Sequence, residues 1–328
     1  MIRIIRMIRM IRIALLAVLA VSVVPLAALA ADWPRGPLTI VVPLAAGDGG
    51  DTTARAMADL LAKELDTAVV VSNKPGAGGA VGVQQVIAAR KDGYTLLFTQ
   101  NSPLTIRRVL EPAAASYDPL RELAPLAITT RTPSVLVVRK EAPFDTFQEL
   151  VAYARKNPGK LRIGNAGPGS AGDLSVQVIN AVAETDLLSV PYKGAAPAVT
   201  DVLGGQVEGV ILALGAVASH MKSGALKAVA ISSPFPDLPH VPTLSKLGYR
   251  QDILGVWFAW MLPAGTPAEV AQVLLPALQR AARNPAVAAR LLPLGIVQDW
   301  EPATRVVSEI RREYETVADV TSRLPPKR

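Results

Sequence analysis

Leu38-Thr39-Ile40-Val41-Val42-Pro43-Leu44-Ala45-Ala46-Gly47-Asp48-Gly49-Gly50-Asp51 strings together an apolar run, a proline, a stretch of small residues and an acid. The first five residues read as a buried strand, and Pro43 ends it because it has no N–H to give a ladder. Beyond the loop, Ala54, Met57, Ala58, Leu61 and Leu65 recur at helical spacing, and Asp51 is the expected N-cap, with Arg55 four residues on as its ion-pair partner. A strand that runs through a Gly-rich loop into a helix is the building unit of a parallel α/β sheet. The loop itself suits an anion. Its small residues let a ligand reach backbone N–H groups, and the helix N-terminus adds partial positive charge.

Outward from this stretch the alternation continues. Val69-Val70-Val71 is the next strand, followed by the loop Asn73-Lys74-Pro75-Gly76-Ala77-Gly78-Gly79, a helix to about Ala89 and a strand over 94–99. A largely parallel sheet flanked by helices follows from that order. A second unit begins at Ser134-Val135-Leu136-Val137-Val138. Thr146-Phe147-Gln148-Glu149 has the form of a capping box, and a second strand–loop–helix comes at Gly164-Asn165-Ala166-Gly167-Pro168-Gly169-Ser170-Ala171-Gly172-Asp173. Ser170 is the expected cap there, with Asp173 placed to bond back. Further strands are expected at 187–191, 207–212 and 225–231, and a helix at 196–203. Past Pro242 the chain is expected to rejoin the first unit, with a strand over 255–262 and Pro267, Pro285 and Pro302 in first helical turns. In that strand, Trp257 falls on one face with Ala259, and Phe258 on the other with Trp260. The domain reading is therefore 31–132 with 241–328 as one lobe and 133–240 as the other. α/β sheets bind ligands beyond the carboxyl ends of their strands, so the two Gly-rich loops are expected to face each other across a cleft.

Several chemistries find no support. Gly76-Ala77-Gly78-Gly79-Ala80-Val81-Gly82 fails the dinucleotide spacing, because the third glycine of G-x-G-x-x-G falls on Val81; helix entry and close packing explain it instead. His220 and His240 are the only histidines, and neither stands in a metal-ligand spacing. No G-x-S-x-G elbow occurs, and the absence of cysteine excludes thiolate metal sites, disulfides and a cysteine nucleophile. The reading is of a protein that is not an enzyme and holds no cofactor or metal.

Residues 1–30 form a separate object. Arg3, Arg6, Arg9 and Arg12 precede an apolar run that ends in Ala28-Leu29-Ala30, the pattern of a secretory signal peptide cut after Ala30. An uncleaved anchor is the alternative, since the run approaches spanning length. The formal charge of +7 includes those four arginines and falls to about +3 without them. No run of five or six basic residues remains beyond this segment, which removes the main support for a nucleic-acid partner.

Further motifs recur along the chain: Ile40-Val41-Val42-Pro43 with Gly47, Asp51 and Ala54-Arg55; Asn73-Lys74-Pro75-Gly76; Asp92-Gly93-Tyr94; Val190-Pro191-Tyr192-Lys193-Gly194; Leu203-Gly204-Gly205-Gln206-Val207; and Pro263-Ala264-Gly265-Thr266-Pro267. In this order the chain resembles the tripartite tricarboxylate transporter receptors, also called Bug-type solute-binding proteins, over essentially its whole length past the signal segment. The resemblance implies an α/β, type II periplasmic binding protein fold: two α/β lobes joined by a hinge, with a ligand cleft between them. It implies a periplasmic receptor, expected as a monomer, that captures a small carboxylate and delivers it to a two-subunit membrane permease. A sensing module that presents the carboxylate to a membrane kinase is the alternative. Carried over by position, the ligand is held by Leu44, Ala45, Ala46, Gly47, Asp48, Gly49, Gly50 and Asp51. The second loop adds Asn165, Ala166, Gly167, Gly169, Ser170 and Asp173, acting through backbone amides and bridging waters. Three positions depart from the family pattern. Asp48 replaces a usual glycine, Asp173 a common histidine, and Leu212 a common acid. The two aspartates are expected to disfavour ligands with several carboxylates.

Overall fold

The structure is a computed structural model and describes residues 33–322. The signal segment and its cleavage site lie outside the described residues. N-terminal sequencing of periplasmic protein is expected to begin at Ala31, and an intact Met1 would overturn that assignment. Among the described residues, no helix is long and apolar enough to cross a membrane.

β1 (Leu38–Val42) passes through the first loop into α1 (Gly49–Glu64), then β2 (Val69–Asn73), α2 (Ala80–Ile87) and β3 (Thr95–Gln100). α3 (Ile106–Leu110) and α4 (Pro119–Glu122) lead to β4 (Leu123–Thr132). Beyond Pro133, β5 (Ser134–Arg139) starts a second sheet with α5 (Phe147–Lys156), β6 (Arg162–Asn165), α6 (Ala171–Ala183) and β7 (Leu188–Pro191). α7 (Ala195–Leu203), β8 (Gly209–Ala213), α8 (Leu214–Lys222) and β9 (Leu226–Ile231) complete that sheet. The chain then returns with β10 (Val256–Pro263), α9 (Ala268–Ala282), α10 (Pro285–Leu291), β11 (Val297–Pro302) and α11 (Ala303–Ser322).

The strand orders are β11-β4-β10-β3-β1-β2 and β7-β6-β8-β5-β9. Only β2-β1-β3 and β7-β6-β8 are parallel; β10, β4 and β11 in the first sheet, and β5 and β9 in the second, pair antiparallel. The expectation of a largely parallel sheet is thus corrected for half of each sheet. The reason is topological. β4 carries the chain out of the first sheet and β10 brings it back, so these neighbours must run in opposite directions. β5 and β9 repeat the relation in the second sheet.

Burial follows the alternation. Trp257, Ala259 and Met261 of β10 share a core cluster with Val41, Leu97 and Ile128. On the opposite face Phe98 stacks on Phe258 with centroids 5.5 Å apart and meets Trp260 at 4.7 Å. The second sheet is buried on both faces, by Leu136, Ile163 and Ile179 on one and by Val137, Val202 and Val210 on the other. The capping box of α5 forms as its spacing predicts: Glu149 N–H donates to Thr146 Oγ1 at 3.2 Å, and Thr146 N–H to Glu149 Oε2 at 3.1 Å.

Two details differ from the sequence reading. Val241, Leu244 and Ile253 are buried in the core clusters of the second sheet. The segment after Pro242 thus packs in part on the second sheet before β10 enters the first. Pro285 does open a helix, but Pro267 stands one residue before α9, and Pro302 ends β11 just ahead of α11. A fixed φ suits either side of a helix start.

Candidate functional site

The two Gly-rich loops are built by one plan. In the first, Gly47 takes a positive φ of 85°, and its N–H donates to Asp51 Oδ2, four residues on, at 2.8 Å. In the second, Gly169 takes a φ of 70°, and its N–H donates to Asp173 Oδ2, again four residues on, at 2.8 Å. A left-handed turn at a non-glycine residue would be strained. The residue after each glycine is the helix cap: Asp48 Oδ1 accepts from Gly50 N–H at 2.9 Å, and Ser170 Oγ from Asp173 N–H at 3.2 Å. Asp48, not Asp51, therefore caps α1, because Asp51 is already the third residue inside the helix.

A second strand completes each clamp. Asn73, at the end of β2, donates to Asp51 Oδ1 at 2.9 Å and to the Leu44 carbonyl at 3.1 Å. Ser189, in β7, donates to Asp173 Oδ1 at 2.5 Å and accepts from Asn165 Nδ2 at 2.8 Å. Asn165 is wholly buried, and its Oδ1 takes the Gly167 N–H at 3.0 Å. Arg55 adds an ion pair to Asp51 at 3.0 Å, as the four-residue spacing predicts. Burial works to raise the Asp51 pKa, but the Arg55, Gly47 and Asn73 bonds outweigh it and hold the carboxyl below its ordinary range.

These bonds decide what each predicted residue offers. Asp51 and Asp173 each engage both oxygens within their clamps, and so shape the backbone of the loops. Ala45, Ala46, Gly47 and Asp48 are exposed on the first loop, with Leu44 and Gly49 half-buried and Gly50 buried. On the second loop Ala166 is exposed, Gly169 and Ser170 are half-buried, and Gly167 is buried. Gly49 and Ala171, the first residues of α1 and α6, carry N–H groups that no helical turn satisfies. The chemistry on offer is backbone donors and two helix N-termini, with no arginine or lysine in either loop.

Both loops lie where the two sheets meet. A Cβ at Gly169 would come within 2.6 Å of Leu110 of α3, and one at Gly49 within 3.0 Å of Ile296. Next to Ile296, a Cβ at Gly295 would fall 2.7 Å from the backbone nitrogen of Gly215 in the second unit. The first loop rests on the aromatic stack, since a Cβ at Gly50 would meet Phe258 at 2.6 Å. Packing is thus the role of Phe258 and Trp260.

Sequence reasoning missed Asn73 and Ser189 as clamps and Leu110 and Ile296 as flanking residues. It also missed that Tyr192 and Gly194 bind the second loop through backbone bonds to Asn165 and Ala166, each 3.0 Å. Asn73 and Ser189 share a signal that was legible, as each is a polar residue on the strand after the Gly-loop helix. Leu212 is buried in the second core, so its lack of a polar group has a packing reason. His240 is exposed and His220 half-buried. Among the described residues no group of three His, Cys, Asp or Glu could hold a metal ion.

Comparison with known proteins agrees with this architecture. The profile of the tripartite tricarboxylate transporter family receptor matches residues 53–313. The protein BugT of Bordetella pertussis is 34% identical over 261 residues, covering 79% of this chain and 80% of BugT. A ligand-free TctC solute-binding protein from Polaromonas superposes with a TM-score of 0.82 at 26% identity, covering 89% of this chain and all of that one. MatC from Rhodopseudomonas palustris with bound malate gives 0.67 at 29% identity, covering 88% and 99%. Members of this family are periplasmic solute-binding receptors rather than enzymes. The chain belongs to the tripartite tricarboxylate transporter receptor family and has its type II periplasmic binding protein fold.

Proposed function

We propose that this receptor binds a small carboxylate between its two clamped loops and delivers it to a two-subunit membrane permease. The observation that carries the reading is the repeated clamp. Two helix N-termini from separate sheets present backbone N–H groups where the sheets meet, and oriented amides at a helix start suit a carboxylate. Malate in a family neighbour supports the ligand class. The sequence, 31–132 with the returning chain and 133–240 with the segment before Gly255, divides as two lobes that close on the ligand.

Small-angle scattering is expected to show a smaller radius of gyration once a carboxylate saturates the protein. An unchanged radius, with binding verified by calorimetry, would count against closure.

The loops also set a charge preference. Asp173 neutralises part of its own helix terminus and Asp48 caps the other, so each added ligand charge meets a weakened field. At an effective dielectric near 20, two like charges about 6 Å apart repel by roughly 3 kcal/mol before screening. A mono- or dicarboxylate is therefore expected to bind ahead of citrate in titration calorimetry. Citrate binding as tightly as malate, with Asp48→Gly leaving both unchanged, would overturn the preference. The delivery step is tested separately, by loss of carboxylate uptake at low external concentration in cells that lack the receptor.

A further inference from the structure

Backbone N–H groups on the two loops suit one carboxylate of a ligand and leave a second anionic group without a counter-charge. Arg55 is spent on Asp51 and Asn73, and Arg107 on Glu111. Lys193 is not spent. It stands between Tyr192 and Gly194, whose N–H groups both donate into the second loop, to the Asn165 and Ala166 carbonyls at 3.0 Å each. The carbonyl oxygen of Tyr192 lies 3.1 Å from where a Cβ on Gly167 would be, so the backbone of Lys193 abuts the middle of that loop. The Tyr192 ring covers Gly164, and its hydroxyl donates to Asp201 Oδ2 at 2.7 Å, which anchors the chain one residue before the lysine.

The direction of the side chain follows from β7. Val190 and Tyr192 turn to the core cluster that holds Ala198 and Val202 of α7, whereas Ser189 turns the other way and donates to Asp173 in α6. Period-two alternation carries Lys193 to the side of Ser189, where the second loop enters α6. In the first lobe, Lys74 follows Asn73, which turns to Asp51, and the same rule sends Lys74 to the opposite face. A lysine stem sets its ammonium about 6 Å from Cα, and adjacent strands lie about 4.8 Å apart, so the Lys193 ammonium reaches an anion resting on the loop.

Its charge also lacks a partner. Lys193 is exposed and, among the described residues, makes no hydrogen bond or ion pair through its side chain. It precedes Gly194, which opens α7 without a capping side chain, and a cation there stands at the unfavourable end of the helix dipole. An anion held between Lys193 and the loop amides removes that mismatch.

We propose that Lys193 is a specificity-determining residue of the carboxylate site, pairing its ammonium with the second carboxylate of a short dicarboxylate whose first rests on the loop amides. This inference rests on the carboxylate reading given above.

Titration calorimetry of the full mature chain with malate and with 2-hydroxybutyrate, in which a methyl group replaces the second carboxylate, tests it. The wild type is expected to bind malate roughly ten-fold tighter than 2-hydroxybutyrate. Lys193→Met keeps the apolar stem and loses the charge. It is expected to weaken malate roughly five- to ten-fold and to leave 2-hydroxybutyrate within about two-fold, whereas Lys193→Arg keeps the malate preference. Equal binding of the two acids by the wild type would overturn the role of Lys193 and leave the carboxylate reading standing. So would a Lys193→Met protein that keeps the preference or loses both acids alike. A wild type that binds neither acid would overturn both.

Discussion

Gly172→Ala is expected to lower the melting temperature by roughly 8–12 °C and to abolish carboxylate binding. A Cβ on Gly172 would lie 2.3 Å from the carbonyl oxygen of Ile211, far inside contact distance. Ile211 sits in β8, between β6 and β5, so that carbonyl cannot retreat as a flexible side chain would. The only relief is for α6 to lift off the sheet, and α6 carries the second loop at its start. Overpacking a well-filled core typically costs 1–3 kcal/mol; with rigid backbone on the other side we expect about 3–4 kcal/mol. Gly36→Ala is the matched control, because nothing lies within 4 Å of the added Cβ, and its effect should stay within about 0.5 kcal/mol. A Gly172→Ala protein that melts with the wild type would show that α6 is free to shift.

Asp51→Ala is expected to cost about 2–3 kcal/mol and to weaken carboxylate binding about ten-fold or more. Its carboxylate collects Gly47 N–H, Asn73 Nδ2 and the Arg55 guanidinium, and the residue is only 3% exposed. Removing it leaves Gly47 N–H without its acceptor and takes bonds from Asn73, which keeps the Leu44 carbonyl, and from Arg55, which keeps Asn73 Oδ1. Arg55 is nearly half exposed and recovers water, which is why the figure stays below that for a fully buried pair. Asp48→Ala, which loses only a cap, should cost about 1 kcal/mol. The effect of Asp51 depends on pH in a fixed direction. Its folded pKa lies below the unfolded value, so its stabilisation is complete above the ordinary carboxylate range. It fades as pH falls through the lowered pKa. The wild-type advantage over Asp51→Ala should therefore shrink on acidification, and a gap constant from neutral pH to about pH 3 would exclude the ionised clamp.

Much of this fold was legible because local signals and tertiary roles coincide. β1, the first loop and α1 could be read from β-branched residues, small residues and helical periodicity, and the structure keeps that order. β4 and β11 were not read. β11 is half-buried and polar, Val297-Gln298-Asp299-Trp300-Glu301-Pro302, and is held by ion pairs to Arg131 that no periodicity announces. The loops were located but their internal chemistry was not. The identity of the α1 cap turned on which of two aspartates, three residues apart, has extended backbone, and pattern does not distinguish them. The partners of Asp51 and Asp173 stand 22 and 16 residues away, on strands whose register is fixed only once the sheet forms. Burial of 241–253 against the second sheet was hidden for the same reason, since Val241, Leu244 and Ile253 are apolar enough for either core.

The two crossings between the sheets also have a mechanical meaning. β4 and β10 are neighbours in one sheet, β5 and β9 are neighbours in the other, and the strand ends are stitched where they pass. Ser232 N–H donates to the Ser134 carbonyl at 2.9 Å, Ser134 N–H donates back to Ser232 Oγ at 3.0 Å, and Asn101 ties the Gly255 carbonyl at 3.1 Å. Two chains laced side by side make a strap. In the closure proposed above, a strap of this kind bends across its flat side more easily than it shears along its edge. Leu254 N–H, donating to Ser175 Oγ at 2.8 Å, pins the second turn of α6 to that same strap. Both Gly-rich loops are thus tied to the strap, the second through Ser175 and the first through Gly50 packed on Phe258 of β10.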